Sequence, residues 1–263
     1  MSNTLSLILG LILPFLGTAL GASMVYLLKR EINIKVKKLL LGFAAGVMVA
    51  ASIWSLILPS MEMTTYEGAL KILPVTIGFI AGIGMLLLID KLTPHLHPNT
   101  LNPEGPKSRI SRTNMLFLAV TIHNIPEGMA AGIVYASLLS NAPDAVTASA
   151  AFALALGIAI QNFPEGAIVS MPFELEGNSK TKSFLYGLIS GLVEPVAALL
   201  MILLKDILLP IMPYLLALAA GAMMYAVVEE LIPEAQDGEH SNIPTLGFAL
   251  GFVMMMILDV LLG

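Results

Sequence analysis

Cysteine is absent from the 263 residues, which excludes disulfide bonds, thiolate metal sites and thiol redox chemistry. Charged residues are scarce as well: they make up 12% of the chain, against roughly 25% in soluble globular domains. The formal net charge is −5, so the chain lacks the basic surplus that binding to nucleic acid requires. Hydrophobic residues reach 57%. This composition predicts a protein whose main partner is the lipid bilayer, and it excludes a soluble domain and a disordered chain.

Eight apolar segments are long enough to cross a bilayer, which requires about 20 residues. We therefore predict an all-α integral membrane protein with a single domain over residues 1–263. The predicted spans are 4–28, 39–58, 72–90, 114–139, 147–171, 184–204, 208–228 and 244–262. The stretch 91–113 is predicted to be an irregular loop, because four prolines in it exclude a continuous helix. These are Pro94, Pro98, Pro103 and Pro106.

The basic residues lie mainly on one side of the predicted membrane. The loops after spans one, three, five and seven contain eleven of them: Lys29, Arg30, Lys35, Lys37, Lys38, Lys91, Lys107, Arg109, Arg112, Lys180 and Lys182. The other loops contain only Lys71 and Lys205. Because cytoplasmic loops are enriched in Lys and Arg, this asymmetry predicts a multi-pass cell-membrane protein with both termini outside the cytoplasm.

Three pairs of spans repeat in order. Span two matches span seven at an offset of 175 residues, and span three matches span eight at an offset of 169. Span one matches span six more weakly, with Gly10 and Pro14 aligned to Gly191 and Pro195. Spans four and five share a separate motif. Repeat mates are five spans apart in the chain, and an odd step reverses the direction of a span. The chain is therefore predicted to form a 3+2+3 arrangement with inverted triplets, which is typical of secondary transporters.

The motif common to spans four and five contains the polar residues of interest. Span four has His123-Asn124-Ile125-Pro126-Glu127-Gly128, and span five has Gln161-Asn162-Phe163-Pro164-Glu165-Gly166. His123 and Glu127 are four residues apart and share a helix face. Each internal proline leaves a carbonyl oxygen free one turn back. Imidazole nitrogens with carboxylate and amide oxygens favour a divalent ion such as Zn²⁺ or Fe²⁺ over Cu(I).

Glu127, Glu165 and Glu194 are three carboxylates in mid-membrane, and the spans contain no Lys or Arg to pair with them. Each ionised group there costs at least about 2.5–3.5 kcal/mol. A bound cation is one partner that removes this cost, and protonation of the acids is the other. A further candidate ligand is the mid-span thioether of Met48, which core packing would also explain. Candidates for the ion's pathway are Asp90, His95, Glu229 and Glu230.

The paired motifs resemble those of the ZIP (Zrt/Irt-like protein) family of divalent metal transporters, and the resemblance covers the whole chain. It includes the eight spans, the cytoplasmic loop after span three and Glu194-Pro195 in span six. Within the family the sequence is similar to the bacterial GufA-like branch, which tends to have Gln at the start of the span-five motif.

This resemblance implies a two-metal site between spans four and five, in which the metal ions are substrate and no separate cofactor is needed. One ion would be held by His123, Glu127, Gln161 and Glu165, with Met48 as an additional ligand. The second would be held by Asn124, Asn162 and Glu194, with Glu127 and Glu165 bridging. The resemblance also implies a homodimer and an elevator-like movement of spans one, four, five and six. Gln161 and Asn162 depart from the His and Asp of other members.

Three functions are compatible with these residues. The first is import of zinc, or of iron, manganese or cadmium, by alternating access. The second is a metal-selective channel that needs no large rearrangement. The third, an intramembrane metalloprotease, would require His-Glu-x-x-His, and this motif is absent from the sequence. We therefore expect a transporter rather than an enzyme.

Overall fold

A computed structural model describes residues 2–27, 32–93, 106, 110–140 and 145–262. Within these ranges, eight helices are long and apolar enough to cross a membrane, which confirms the predicted all-α class and the number of spans. They are α1 (Asn3–Leu27), α2 (Ile34–Glu62), α3 (Gly68–Leu92), α4 (Thr113–Leu138), α5 (Ala148–Leu175), α6 (Lys180–Leu203), α7 (Lys205–Gln236) and α8 (Ile243–Leu262).

α2 and α7 extend furthest beyond their predicted ends at one face of the bundle. α2 begins at Ile34 and α7 continues to Gln236, so Glu229 and Glu230 lie on a helix and not in a loop. The extension of α7 is stabilised because Leu231 and Ala235 are buried. We call this face the basic end, because it contains the following lysines: Lys35, Lys37, Lys38, Lys180 and Lys182. Most of the predicted loop 91–113, including His95, lies outside the described residues.

The helices form two groups. In the first, α1 packs along α5 and α4 packs along α6; in the second, α2 packs along α8 and α3 packs along α7. The groups meet mainly where α5 contacts α2 and α4 contacts α7. α4 and α5 remain continuous through Pro126 and Pro164. The two motif helices therefore lie at the boundary between the groups.

The second group preserves the predicted inverted repeat in its contacts. A Cβ on Gly46 would lie 2.1 Å from the carbonyl oxygen of Phe248, and a Cβ on Gly221 would lie 2.1 Å from that of Phe79. The offsets of 175 and 169 residues relate one contact to the other. The same offset of 175 relates the start of two π-helical turns, Ser52–Ile57 in α2 and Val227–Leu231 in α7. Such turns are rare and are often found at functional sites.

The first group is also symmetric, but in a register that the sequence does not indicate. A Cβ on Gly128 would lie 2.4 Å from the carbonyl oxygen of Glu194, and one on Gly166 would lie 2.1 Å from that of Thr18. Thr18 is therefore the counterpart of Glu194, at an offset of 176. The predicted alignment of Pro14 with Pro195 is wrong by five residues. The predicted alignment rested on apolar and proline positions, which match by chance in apolar helices. The structural register of the repeat depends instead on where the helix backbones contact each other.

Candidate metal site

The α4 motif faces α7. His123 is buried, and its Nδ1 lies 3.0 Å from Oε2 of Glu230 on the π-helical turn of α7. This separation allows an ion pair, yet neither ring nitrogen makes a well-directed hydrogen bond to the described residues. The structure therefore brings a predicted ligand, His123, into contact with a predicted pathway residue, Glu230, and leaves the imidazole nitrogens available.

The α5 motif forms a chain of hydrogen bonds between carboxylates. Gln161 Nε2 donates to Glu127 Oε2 at 2.6 Å and to Asn162 Oδ1 at 2.7 Å. Asn162 Nδ2 donates to Glu194 Oε2 at 2.6 Å, and Thr18 Oγ1 donates to Glu194 Oε1 at 3.2 Å. All five side chains are buried. Four helices (α1, α4, α5 and α6) are thus joined through two carboxylates whose hydrogen-bond donors are amide and hydroxyl groups.

Several buried acceptors of the site have no hydrogen-bond donor among the described residues. Asn124 Oδ1 and Gln161 Oε1 are unpaired, as is Nε2 of His123, whereas Nδ1 is the nitrogen that lies 3.0 Å from Glu230. Leaving a buried polar group unsatisfied costs roughly 1–3 kcal/mol. Carboxamide oxygen and imidazole nitrogen are also metal ligands. Within the described ranges no three His, Cys, Asp or Glu side chains converge as they would around an ion. The side-chain amides of Gln161 and Asn162 direct their nitrogens at Glu127 and Glu194. For these carboxylates to bind an ion in place of the amides, the amides would have to rotate.

A small cavity of about 30 Å³ adjoins the motif, large enough for one water molecule or ion. Its polar lining consists of His123 and four carboxylates, with the thioether of Met48 beside them. The carboxylates are those of Glu127, Glu165, Glu230 and Glu234. Leu116, Ile168 and Glu234 also line a second cavity of about 310 Å³ at the basic end, where Lys37 is found. The cavity beside His123 therefore adjoins the cavity at the basic end.

The opposite end has its own cavity of about 270 Å³, lined by Ser55, Glu62, Val134 and Asp259 among others. Asp259 accepts a hydrogen bond of 2.6 Å from Ser55. This cavity shares no lining residue with the one beside His123. Glu127 and Val134 are separated by seven residues of α4, or about 10 Å of helix, and the intervening Ala130, Ala131 and Ile133 are buried. An apolar layer thus separates the motif from this end.

The other predicted residues lie in different surroundings. Glu194 borders a space that is too small for a water molecule, and its carboxylate accepts hydrogen bonds from Thr18 and Asn162. Asn124 donates to the carbonyl oxygen of Ser190 at 2.9 Å. Asp90 is buried at the basic end and accepts a 2.6 Å hydrogen bond from Tyr225. Glu229 is exposed and turns away from the cavity that Glu230 lines.

Sequence reasoning missed three contributors to the site. Thr18 binds Glu194, and Tyr225 binds Asp90. Glu234 lines the cavity and pairs with Lys37. Glu234 could have been found, because it follows Glu230 by four residues and shares its helix face. Thr18 and Tyr225 gave no such signal, because their partners are on helices distant in sequence.

The sequence is similar to those of known zinc transporters. Residues 102–259 match the family model described as ZIP Zinc transporter. The chain is 37% identical to zinc transporter ZIPB of Bordetella bronchiseptica, over 97% of this chain and 81% of that protein. It is 34% identical to human zinc transporter ZIP11, over 100% of this chain and 98% of that protein.

A third relative is zinc transporter GufA of Myxococcus xanthus, at 33% identity over 94% of this chain and 96% of that protein. Each of the three matches covers at least 94% of this chain. The chain, with its buried histidine and carboxylates between α4 and α5, belongs to the ZIP zinc transporter family, whose members are transporters and not enzymes.

Proposed function

We propose that the protein imports divalent transition-metal ions, zinc foremost, by binding them between α4 and α5. The observation that supports this most strongly is the cavity beside His123, which is lined by four carboxylates and by no basic residue other than that imidazole. The two motifs also contain atoms without a hydrogen-bond partner among the described residues: Nε2 of His123 and the amide oxygens of Asn124 and Gln161. A divalent cation would satisfy both the negative charge and the unpaired acceptors.

In this proposal one ion binds to His123, Glu127, Gln161 and Glu165, with Met48 as a further ligand. Gln161 and Asn162 now donate to carboxylates through their nitrogen atoms. Rotation of each amide would turn its oxygen toward the ion, so that metal bonds replace the amide hydrogen bonds. A second ion would bind to Asn124, Asn162 and Glu194, bridged by the two motif glutamates, once the space beside Glu194 has opened.

We further propose that transport proceeds by alternating access, with α1, α4, α5 and α6 moving against the other four helices. The support is the division into two groups with the motif at their boundary. The cavity beside His123 shares lining residues with the cavity at the basic end and none with the cavity at the opposite end. The basic end would face the cytoplasm, in accordance with the distribution of Lys and Arg. The structure then represents a state open to the cytoplasm, and Asp259 would lie at the extracytoplasmic entrance.

The proposal is tested by uptake of Zn²⁺, Fe²⁺, Mn²⁺ and Cd²⁺ into proteoliposomes containing the purified protein. We expect saturable, strongly temperature-dependent uptake with zinc preferred, and no uptake by a His123→Ala/Glu127→Ala double variant. Weakly temperature-dependent flux that does not saturate would instead indicate a channel. Absence of uptake of every ion would contradict the proposed function.

We also propose that the protein is a homodimer in the membrane. Apolar side chains are exposed on two helices of the second group, which the proposed movement leaves in place. They are Leu246, Leu250 and Val253 of α8 and Ile77 and Ile80 of α3. A partner on that face would leave the first group, with α1, α4, α5 and α6, free to move. The mass of the detergent-solubilised protein, corrected for bound detergent, tests this proposal, and a purely monomeric species would contradict it.

A further inference from the structure

The route from the motif to the basic end contains one ion pair. Lys37 Nζ of α2 lies 2.7 Å from Glu234 Oε1 of α7. The Glu234 side chain is 9% exposed, whereas that of Lys37 is 35% exposed. Glu234 lines both the small cavity beside His123 and the larger cavity at the basic end, and Lys37 lines only the larger one. A cation that leaves through these cavities therefore passes Glu234 and meets Lys37.

A lysine at this position is unexpected in a pathway for cations. The small cavity has four carboxylates, of which Glu234 is one. Four unpaired carboxylates would hold a divalent ion too strongly for rapid release. Lys37 and Glu234 are the only charged residues that line the larger cavity in the part of the chain described. The lysine ammonium is a compact charge on a flexible stem, so it can move toward or away from its partner as an ion passes.

We propose that Lys37 determines how fast the metal is released, because it neutralises Glu234 and competes with the metal for that carboxylate. With Lys37 in place, Glu234 does not act as a further ligand at the mouth of the site, and the departing ion meets only hydrated groups. Lys37 is therefore a positioning residue that acts through Glu234. The inference rests on the proposed transport function and assigns a step within it.

The test compares wild-type protein with Lys37→Met, which removes the charge but retains a long side chain. Cd²⁺ binding is measured by equilibrium titration in detergent, and Cd²⁺ uptake is measured in proteoliposomes. In Lys37→Met we expect binding about tenfold tighter, since a competing half-buried charge has been removed. The half-saturating concentration and the maximal uptake rate should both fall. Lys37→Arg retains the charge and should behave like wild type.

Lys35 provides the matched control, because it is exposed on the same helix and also loses one positive charge in Lys35→Met. That variant should bind and transport as wild type does. Glu234→Gln breaks the same ion pair from the other side. It should weaken Cd²⁺ binding, because it removes the carboxylate and leaves the charge of Lys37 unpaired beside the route. A purely structural ion pair would give the two single variants similar effects, whereas competition gives opposite effects on affinity.

The double variant Lys37→Met/Glu234→Gln should lose the tighter binding of Lys37→Met. Binding that stays tight in the double variant would overturn the inference, as would unchanged affinity in Lys37→Met. These binding results are independent of transport. If the wild-type protein binds Cd²⁺ but takes up no metal, the proposed function fails, while the effect of Lys37 on affinity is still measured.

Discussion

The two copies of the motif have the same spacing but different surroundings. His123 of α4 faces a cavity and a carboxylate on α7, whereas its counterpart Gln161 of α5 donates to Glu127 and Asn162. Asn124 binds a backbone carbonyl, while its counterpart Asn162 binds the carboxylate of Glu194. The α4 copy therefore presents free donor atoms to an ion, and the α5 copy holds the carboxylates in place until an ion arrives.

Removing a ligand from the α4 copy should have the largest effect. We expect His123→Ala or Glu127→Ala to reduce Zn²⁺ uptake to background, because each removes a group that lines the cavity. Helix content by circular dichroism should be unchanged, since the backbone contacts of α4 with α6 involve Gly128 and Gly132. His240→Ala removes an exposed histidine and serves as the control. Wild-type uptake by both site variants would place the site elsewhere.

The two asparagines should differ in their contribution to stability. Asn162→Leu removes hydrogen bonds to Glu194 and to the carbonyl oxygen of Pro14, whereas Asn124→Leu removes a single bond to a backbone carbonyl. Each buried hydrogen bond contributes about 0.5–1.5 kcal/mol, and Asn162→Leu also removes the bond that Asn162 accepts from Gln161. Thermal unfolding of the metal-free protein in detergent should therefore show the larger decrease in Tm for Asn162→Leu. Equal decreases would mean that the amide chain on α5 has no special role.

Making the two copies alike should have a smaller effect, on selectivity rather than on activity. Gln161→His gives α5 the imidazole that α4 already has. Imidazole is a softer donor than an amide oxygen, so uptake of zinc relative to manganese should rise by about tenfold. Competition uptake with both ions present measures this ratio. An unchanged order of selectivity would mean that Gln161 does not contact the ion.

Much of the fold could be predicted because hydrophobicity and helical spacing are local properties. The eight spans were found to within a few residues, except at the basic end of α7. The repeat relationship between α2 and α7 follows from matching residues at a fixed offset. The shared face of His123 and Glu127 follows from their spacing of four residues. The end of α7 was missed because Glu229 and Glu230 mark a loop by composition, whereas burial of Leu231 continues the helix.

The arrangement of the site could not be predicted in the same way. Contacts such as His123 with Glu230 and Lys37 with Glu234 join helices that are distant in the chain. They depend on the register of packed helices, which is set by close backbone approach at positions such as Gly128. The hydrogen-bond partners of Gln161 likewise depend on which carboxylate the packing places beside it.

Accessibility of introduced cysteines tests the central claim, that the site opens to one end at a time. The cysteine-free sequence gives no background labelling. On α5, Ile168 lines the cavities toward the basic end, whereas Ile158 is buried in the apolar layer toward the opposite end. An impermeant maleimide should label Ile168→Cys only from the basic end, and Ile158→Cys only from the opposite end. Saturating Zn²⁺ should change the two rates in opposite directions. Labelling of both positions from both sides, or rates that rise together, would indicate a continuous pore and contradict alternating access.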